Sequence, residues 1–343
     1  MIKVLSLFDG IATARYVLEQ LGVPVEYYAS EVDKYAINIT AKNYPDVQQL
    51  GDIRQIQATD LPLIDLLIGG FPCQDLSIAK TNRQGLQGER SALFYEMLRL
   101  HKETRPRYFV YENVASMAKD QKELITQAIS EVAGRRIEPV LINAALVSAQ
   151  SRKRLFWTNI EVPQPEDRHI LLKDILENAT TETPKAGTID ANYHKGTGGR
   201  HLRDYEVSPK TLESVKGWNQ AQAGRIRGID GKSVTLQAGG GGTGAKTGLY
   251  KVPIPVALRN RGEGKKPEYN GTQKANSLTT VQTDSMVEEQ TIIRKLTPVE
   301  CERLQSLPDN YTEGVSNTQR YKALGNAFNA EVIKHILQQV TWN

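Results

Sequence analysis

The chain has 343 residues, 43 Lys and Arg against 39 Asp and Glu, and only two cysteines, Cys73 and Cys301. That length supports a sizeable core in one large or two modest domains, while two cysteines cannot build a disulfide framework. No Cys-x-x-Cys pair or histidine cluster offers metal ligands, no apolar run approaches the roughly 18 residues of a membrane span, and Asp9 and Gly10 interrupt the apolar stretch before the signal-like Ala12-Thr13-Ala14. The expectation is a metal-free protein of a reducing, intracellular compartment, and a net charge of +4 leaves a polyanionic partner open.

Over residues 1–160, short apolar runs alternate with helical patterns, which reads as a doubly wound, mostly parallel α/β sheet of six or seven strands. Val4 to Phe8 is the first strand, and Thr13 to Leu21 forms a helix that Gly22-Val23-Pro24 stops. A strand over Val25 to Ser30, a helix from Lys34 to Asn43 and a short strand near Val47 to Leu50 follow. Ile64 to Ile68 is continuously apolar, as suits a strand buried on both faces. The pattern then predicts a helix over Ser91 to Glu103, a strand over Tyr108 to Tyr111, a helix near Lys122 to Val132, and strands near Glu138 to Leu146 and Leu155 to Asn159.

The character changes at Pro163-Gln164-Pro165. Between Lys185 and Lys274 the chain holds 17 of its 27 glycines and 16 Lys and Arg against 7 Asp and Glu, so everything else carries 27 against 32. The modest total charge is therefore a basic insert set against an acidic remainder, and a concentrated basic patch attracts a phosphate backbone as a uniform charge does not. A flexible linker is one reading of the glycines. The fragments Thr188 to Ala191, Thr235 to Ala238 and Ser277 to Thr280 echo one another faintly and favour a small, loop-rich β domain instead. Regular patterning resumes at Thr291, with Thr297-Pro298-Val299-Glu300 opening a helix and Ala330 to Val340 forming the last one. The organisation read here is 1–160, an insert over 161–290, and a segment 291–343 that returns to the first domain.

Chemistry-bearing residues gather where strands end. Phe8-Asp9-Gly10-Ile11-Ala12-Thr13 joins the first strand to a helix through a glycine turn, Ser30-Glu31-Val32 puts an acid at the tip of the second, and Gly51-Asp52-Ile53 follows the third. Strand-tip acids are placed for ribose and adenine, while the absence of G-x-G-x-x-G argues against a dinucleotide pyrophosphate and for a nucleoside cofactor such as S-adenosylmethionine. The buried strand delivers Gly69-Gly70-Phe71-Pro72-Cys73-Gln74-Asp75-Leu76-Ser77, a thiol at the ligand-binding end of an open sheet. A polar loop hinged at Gly85 and Gly88 follows and reads as a lid, whereas Cys301 sits inside a predicted helix as a packing residue. Glu112-Asn113-Val114 ends the next strand with a candidate acid, and Arg152 and Arg154, two apart in an extended segment, share a face.

In this order these motifs, together with Gln150-Ser151-Arg152-Lys153-Arg154, Ser91 to Phe94, Lys295 to Pro298, Glu300 and Gly325-Asn326-Ala327, resemble the DNA cytosine-5 methyltransferase family. The first turn is similar to that of the animal de novo enzymes, and the glycine-rich insert to bacterial and phage members. The resemblance implies a Rossmann-like S-adenosylmethionine-dependent methyltransferase fold with a second, smaller target-recognition domain. It implies Cys73 as the nucleophile toward C6 of a flipped-out cytosine, Glu112 as hydrogen-bonding acid at N3 and the exocyclic amine, Arg154 at O2, and Arg152 orienting the phosphate or the thiolate. For the cofactor it implies Phe8 against adenine, Asp9, Gly10, Ile11 and Thr13 around the methionine part, Glu31 and Val32 at the ribose, Asp52 and Ile53 at the adenine, and Pro72 and Asn326 along the pocket.

The expected partner is double-stranded DNA, contacted by Gln74, Ser77, Arg83 and Gln84 in the lid and by Arg225, Arg227, Arg259 and Arg261 in the insert, although solvated or phosphate-only roles fit the four arginines equally well. The expected setting is a monomer in the cytoplasm of a bacterial or phage-infected cell, with a restriction endonuclease as a functional companion and not a subunit. A tRNA cytosine-5 methyltransferase is the nearest rival, but that branch lacks a large basic insert. A noncatalytic DNA-binding relative has no need of Cys73, Glu112, Arg152 and Arg154 together, and a thiol hydrolase lacks a histidine at the strand tips.

Overall fold

The computed structural model describes residues 1–72, 89–177 and 296–342, together with strand segments 226–227, 249–260, 265–268 and 286–294. Seven strands form one sheet: β1 (Ile2–Leu7), β2 (Val25–Ser30), β3 (Gln48–Gln49), β4 (Leu66–Gly70), β5 (Tyr108–Val114), β6 (Val140–Asn143) and β7 (Lys153–Thr158), in the order β3-β2-β1-β4-β5-β7-β6. All neighbours are parallel except β7, which runs antiparallel to both β5 and β6. The chain winds outward from β1 to β3 and then resumes on the other side at β4. The crevice above the β1 and β4 tips is thus a topological switch point, where open α/β sheets bind ligands.

The continuous apolar runs of the sequence are explained by burial on both faces. Along β4, Leu66 and Ile68 enter one apolar cluster while Leu67 enters the other. The first cluster includes buried residues of α1 (Thr13–Gln20), α2 (Lys34–Asn43), α5 (Pro298–Leu304), α6 (Asn317–Asn326) and α7 (Ala330–Leu337); the second includes those of α3 (Glu89–Thr104) and α4 (Lys119–Ala133). Each fully buried Leu or Ile contributes roughly 1.5–3 kcal/mol. Helix α7 buries Val332, Ile333, Ile336 and Leu337, one face at helical spacing, and packs on α1. Helix α5 begins as expected, with Pro298 in the first turn and Thr297 and Glu300 capping each other reciprocally. Cys301 is fully buried in it, in keeping with a packing residue.

Several boundaries differ from the sequence reading. β1 stops at Leu7 because Phe8 takes a left-handed conformation, φ 56°. β5 continues to Val114 because β7 pairs beside it through Val114 and Arg154, so Glu112 and Asn113 lie within the strand. The expected strand over 138–146 shortens to β6, followed by a 3-10 turn at Ala144–Leu146, and the last strand shifts to Lys153–Thr158. The start of the insert stays on the main core: Leu172 is fully buried there, and Arg168 bonds Glu331 at 2.7 Å. A second sheet holds β8 (Ile226–Arg227), β9 (Leu249–Asn260), β10 (Lys265–Glu268) and β11 (Met286–Arg294), with β9 antiparallel to β10 and β11. β11 crosses position 290, the edge the sequence assigned to the insert. The three echoing fragments lie outside the described residues. No helix among the described residues is long and apolar enough to cross a membrane.

The C-terminal segment is tied to the sheet by polar bonds. Tyr311 donates its hydroxyl to the Ile11 carbonyl at 2.7 Å, Asn43 donates to the Tyr311 carbonyl at 2.9 Å, and Lys322 meets Asp33 at 2.5 Å. Beneath them Glu302, fully buried, accepts from the backbone amides of Asn310 and Thr312, the Thr312 hydroxyl, and Arg320 at 2.8 Å. Removing one member of a buried ion pair strands the other charge. Glu302→Ala is therefore expected to cost about 3–5 kcal/mol in urea unfolding.

Asp9 is the second buried acid. It accepts from the Tyr27 hydroxyl at 2.7 Å, and burial, assisted by the nearby Glu31 charge, raises its pKa to about 6. An acid whose folded pKa lies above its unfolded value near 3.8 holds its proton longer in the folded state, so its ionisation destabilises the fold as pH rises between the two values. Relative to Asp9→Asn, wild-type stability is expected to fall by about 2 kcal/mol between pH 4 and pH 7. Urea titrations of both proteins across that range check this, and parallel pH profiles would refute it.

Candidate active site at the strand tips

The β1–α1 turn is built from alternating left-handed residues, Phe8 (φ 56°), Gly10 (φ 64°) and Ala12 (φ 57°). Its amides are stitched to the next strand: Asp9 N–H donates to the Ser30 carbonyl at 3.1 Å, and Gly10 N–H to Glu31 Oε2 at 2.8 Å. The other Glu31 oxygen accepts from the amides of Val32 and Asp33 at 2.7 and 2.8 Å. Ser30 Oγ donates to the Gly51 carbonyl at 2.8 Å, joining the third tip. The result is a fixed rim over β1, β2 and β3, with Glu31 oriented by three amides.

Its surface fits a nucleoside cofactor. The space beside the Gly10 Cα is open for 4 Å, Val32 offers an apolar side chain at 71% exposure, and Phe8 and Pro72 are half-buried beside the tips. Asn326 is exposed at the end of α6. Asp52 caps the 3-10 turn at Ile53–Gln55, and its bond to the Arg54 side chain at 2.5 Å holds its carboxyl below the usual range. Asp9, Ile11, Thr13 and Ile53 are buried, so their side chains shape the rim from beneath.

The second half of the site lies at the ends of β4, β5 and β7. A methyl group on Gly69 would stand 2.8 Å from the Leu7 carbonyl oxygen, so glycine is required for β4 to lie this close to β1. Gly70 is in register with Glu112 on β5. Glu112 Oε1 meets Arg154 Nε at 2.6 Å, with both side chains about one-seventh exposed (13% and 15%). Arg152 is 4% exposed and donates to the Gly325 carbonyl at 3.4 Å and the Ala327 carbonyl at 3.0 Å. Burial, and then the neighbouring Arg154 charge, lower its pKa to about 9, which leaves it charged at neutral pH. The shared face expected for the two arginines holds: both line one small pocket with Glu112, Phe156, Ile142 and Phe328. Arg152 thereby gains a role that the sequence did not disclose, as an anchor for the backbone on either side of Asn326.

Two further residues have roles that the sequence reading did not assign. Asn113 donates to the Phe71 carbonyl at 3.0 Å, fixing the chain where it leaves β4 toward Pro72. Phe328 directly follows Gly325-Asn326-Ala327, and that adjacency was the only available signal. Cys73, Gln74, Ser77, Arg83, Gln84, Arg225 and Arg261 lie outside the described residues. Arg227 is in β8, and Arg259 is in β9 opposite Lys266 of β10.

The chain is similar to known methyltransferases over nearly its whole length. The orphan methyltransferase M.SPRI of Bacillus phage SPR is 26% identical, with 99% of this chain and 97% of that protein aligned. The type II methyltransferase M.HhaI of Haemophilus parahaemolyticus is 27% identical over 100% and 94% of the two chains. Among solved structures, Entamoeba histolytica methyltransferase EhMeth superposes with a TM-score of 0.64 at 15% identity, covering 99% of this chain and 97% of that one. A putative DNA modification methyltransferase encoded within an E. coli prophage gives 0.61 at 18% identity, with 99% and 98% covered. Those two share the fold. The family profile for C-5 cytosine-specific DNA methylases matches residues 2–342, all but the first and last positions, and the chain belongs to that family as an S-adenosylmethionine-dependent DNA cytosine-5 methyltransferase.

Proposed function

We propose that the enzyme methylates a cytosine swung out of duplex DNA, through a covalent bond between Cys73 and C6. The observation that carries this reading is the Glu112–Arg154 pair at 2.6 Å, beside the tip of the strand that leads to Pro72 and Cys73. An acid and a guanidinium side by side present the donors and acceptors that the N3, amine and O2 edge of cytosine requires. Glu112 in its protonated form donates to N3 and accepts from the exocyclic amine, Arg154 donates to O2, and the ring becomes electrophilic at C6. The Cys73 thiolate adds there, and the electron pair displaced to C5 attacks the methyl group. S-Adenosylmethionine, which Phe8, Gly10, Glu31, Val32, Asp52, Pro72 and Asn326 would hold, would supply that methyl group as the electrophile, its sulfur keeping the electron pair of the broken S–CH3 bond to leave S-adenosylhomocysteine. Water then takes the C5 proton, the C5–H electron pair re-forms the C5–C6 double bond, and the C6–S bond breaks to release the Cys73 thiolate and leave 5-methylcytosine. Reaching C5 and C6 requires extrusion of the base, at a cost of a few kcal/mol.

Target recognition falls to the basic insert, with Arg225, Arg227, Arg259 and Arg261 as contacts and Gln74, Ser77, Arg83 and Gln84 at the lid. The surplus of nine positive charges between Lys185 and Lys274 supports this. The boundaries 1–160, 161–290 and 291–343 are retained as an approximate division of labour, adjusted by the core packing of 161–177 and by β11. The bacterial and phage origins of the relatives support action inside a bacterial or phage-infected cell. The enzyme works as a monomer, and any cognate endonuclease is a separate protein.

Methyl label is expected to enter duplex DNA and not tRNA, with no transfer by Cys73→Ala and a loss of about 100-fold or more in Glu112→Gln. A duplex carrying 5-fluorocytosine is expected to trap wild-type enzyme covalently, since fluorine cannot leave as the proton does, and to leave Cys73→Ala free. Equal labelling of tRNA or full activity of Cys73→Ala would sink the reading.

A further inference from the structure

Phe328 directly follows the Gly325-Asn326-Ala327 motif, and its ring stands against the pair assigned above to the base. A methyl group on Gly70 would lie 3.1 Å from Phe328 Cε1 and 3.2 Å from Glu112 Oε2, so ring and carboxylate border the same gap left by the missing side chain. Phe328 is 7% exposed and lines the pocket that also holds Arg152 and Arg154. Its backbone is pinned on both sides. Before it, Arg152 holds the Gly325 and Ala327 carbonyls; after it, Asn329 caps α7 through the Val332 amide at 3.2 Å and donates to the Leu304 carbonyl at 2.9 Å. The ring therefore borders the carboxylate from a backbone that is anchored on both sides.

We propose that Phe328 is a positioning residue of the target-base pocket. Its ring is a fixed apolar wall that keeps the Glu112 carboxylate in line with the base edge and free of water, and Gly70 is the residue that makes room for both. The proposal rests on the reading of Glu112 as the base-binding group. Excluding water strengthens the hydrogen bonds made inside the pocket, and displacing a reacting partner by a fraction of an ångström is enough to slow the chemistry.

The test is a double-mutant cycle in the full-length enzyme, following kcat for methyl transfer to duplex DNA, the Kd for S-adenosylmethionine and thermal unfolding. Phe328→Leu is expected to lower kcat about tenfold while the cofactor Kd moves less than about twofold. Gly70→Ala, which pushes on both ring and carboxylate, is expected to lose about 100-fold, and Gly70→Ala/Phe328→Leu to return to within about threefold of Phe328→Leu alone. Phe328→Met, closer in volume, repeats the cycle if the Leu variant does not fold. Additive losses in the cycle, or wild-type kcat in both Phe328 variants, would overturn the proposal. Failure of the underlying reading looks different: Glu112→Gln would then keep the wild-type kcat on duplex DNA.

Discussion

Strand β4 ends in two glycines, and the spacing at the centre of the sheet depends on them. Leu7 and Gly69 are neighbours across β1 and β4, where a side chain on Gly69 would strike the Leu7 carbonyl oxygen at 2.8 Å. One residue later, Gly70 faces Glu112 across β4 and β5, and the space that its side chain would take is bounded by the Glu112 carboxylate and the Phe328 ring. Close packing leaves no slack at such a point, because a single added methyl must displace a neighbour. The cofactor rim on one side and the Glu112–Arg154 pair on the other therefore stand at distances set by the backbones of β1, β4 and β5.

The polar parts of the site follow the same economy, with side chains used to hold backbone in place. Glu31 takes three amides, Asn113 holds the Phe71 carbonyl, and Arg152 holds the Gly325 and Ala327 carbonyls. Each bond fixes a turn that carries or precedes a residue of the proposed chemistry. The most distant of these ties, Arg152 to Ala327, crosses 175 positions of sequence, and the bond from Tyr311 to Ile11 crosses 300. The C-terminal segment is in this sense a wall of the active site, supplied by a part of the chain made after the insert.

Much of the architecture was readable in advance because its causes are local. Continuous apolar runs marked strands buried on both faces, Gly22 and Pro24 stopped a helix, and Thr297 with Pro298 started one. The errors have tertiary causes. Nothing near Tyr111 indicates that β7 will run antiparallel beside it and prolong the strand through Val114. The Pro163-Gln164-Pro165 break looks like a domain edge, yet Leu172, several residues later, packs into the core. β11 crosses residue 290 because its partner β9 extends far enough to pair with it as far as Arg294.

By itself the sequence determined the order of strands and helices, the placing of acids, glycines and a thiol at strand ends, the concentration of positive charge in the insert, and the family that this ordered set of motifs marks. Such features depend on residue type and spacing within a few turns of chain. Only the tertiary structure decided that Glu112 pairs with Arg154, that Arg152 spends donors on the backbone around Asn326, that Asp9 is buried against Tyr27, and that Phe328 lines the pocket. These are contacts between segments far apart in the chain. Local pattern cannot specify their distance or burial, which come into being when both faces of the sheet are covered and water is excluded from the strand tips.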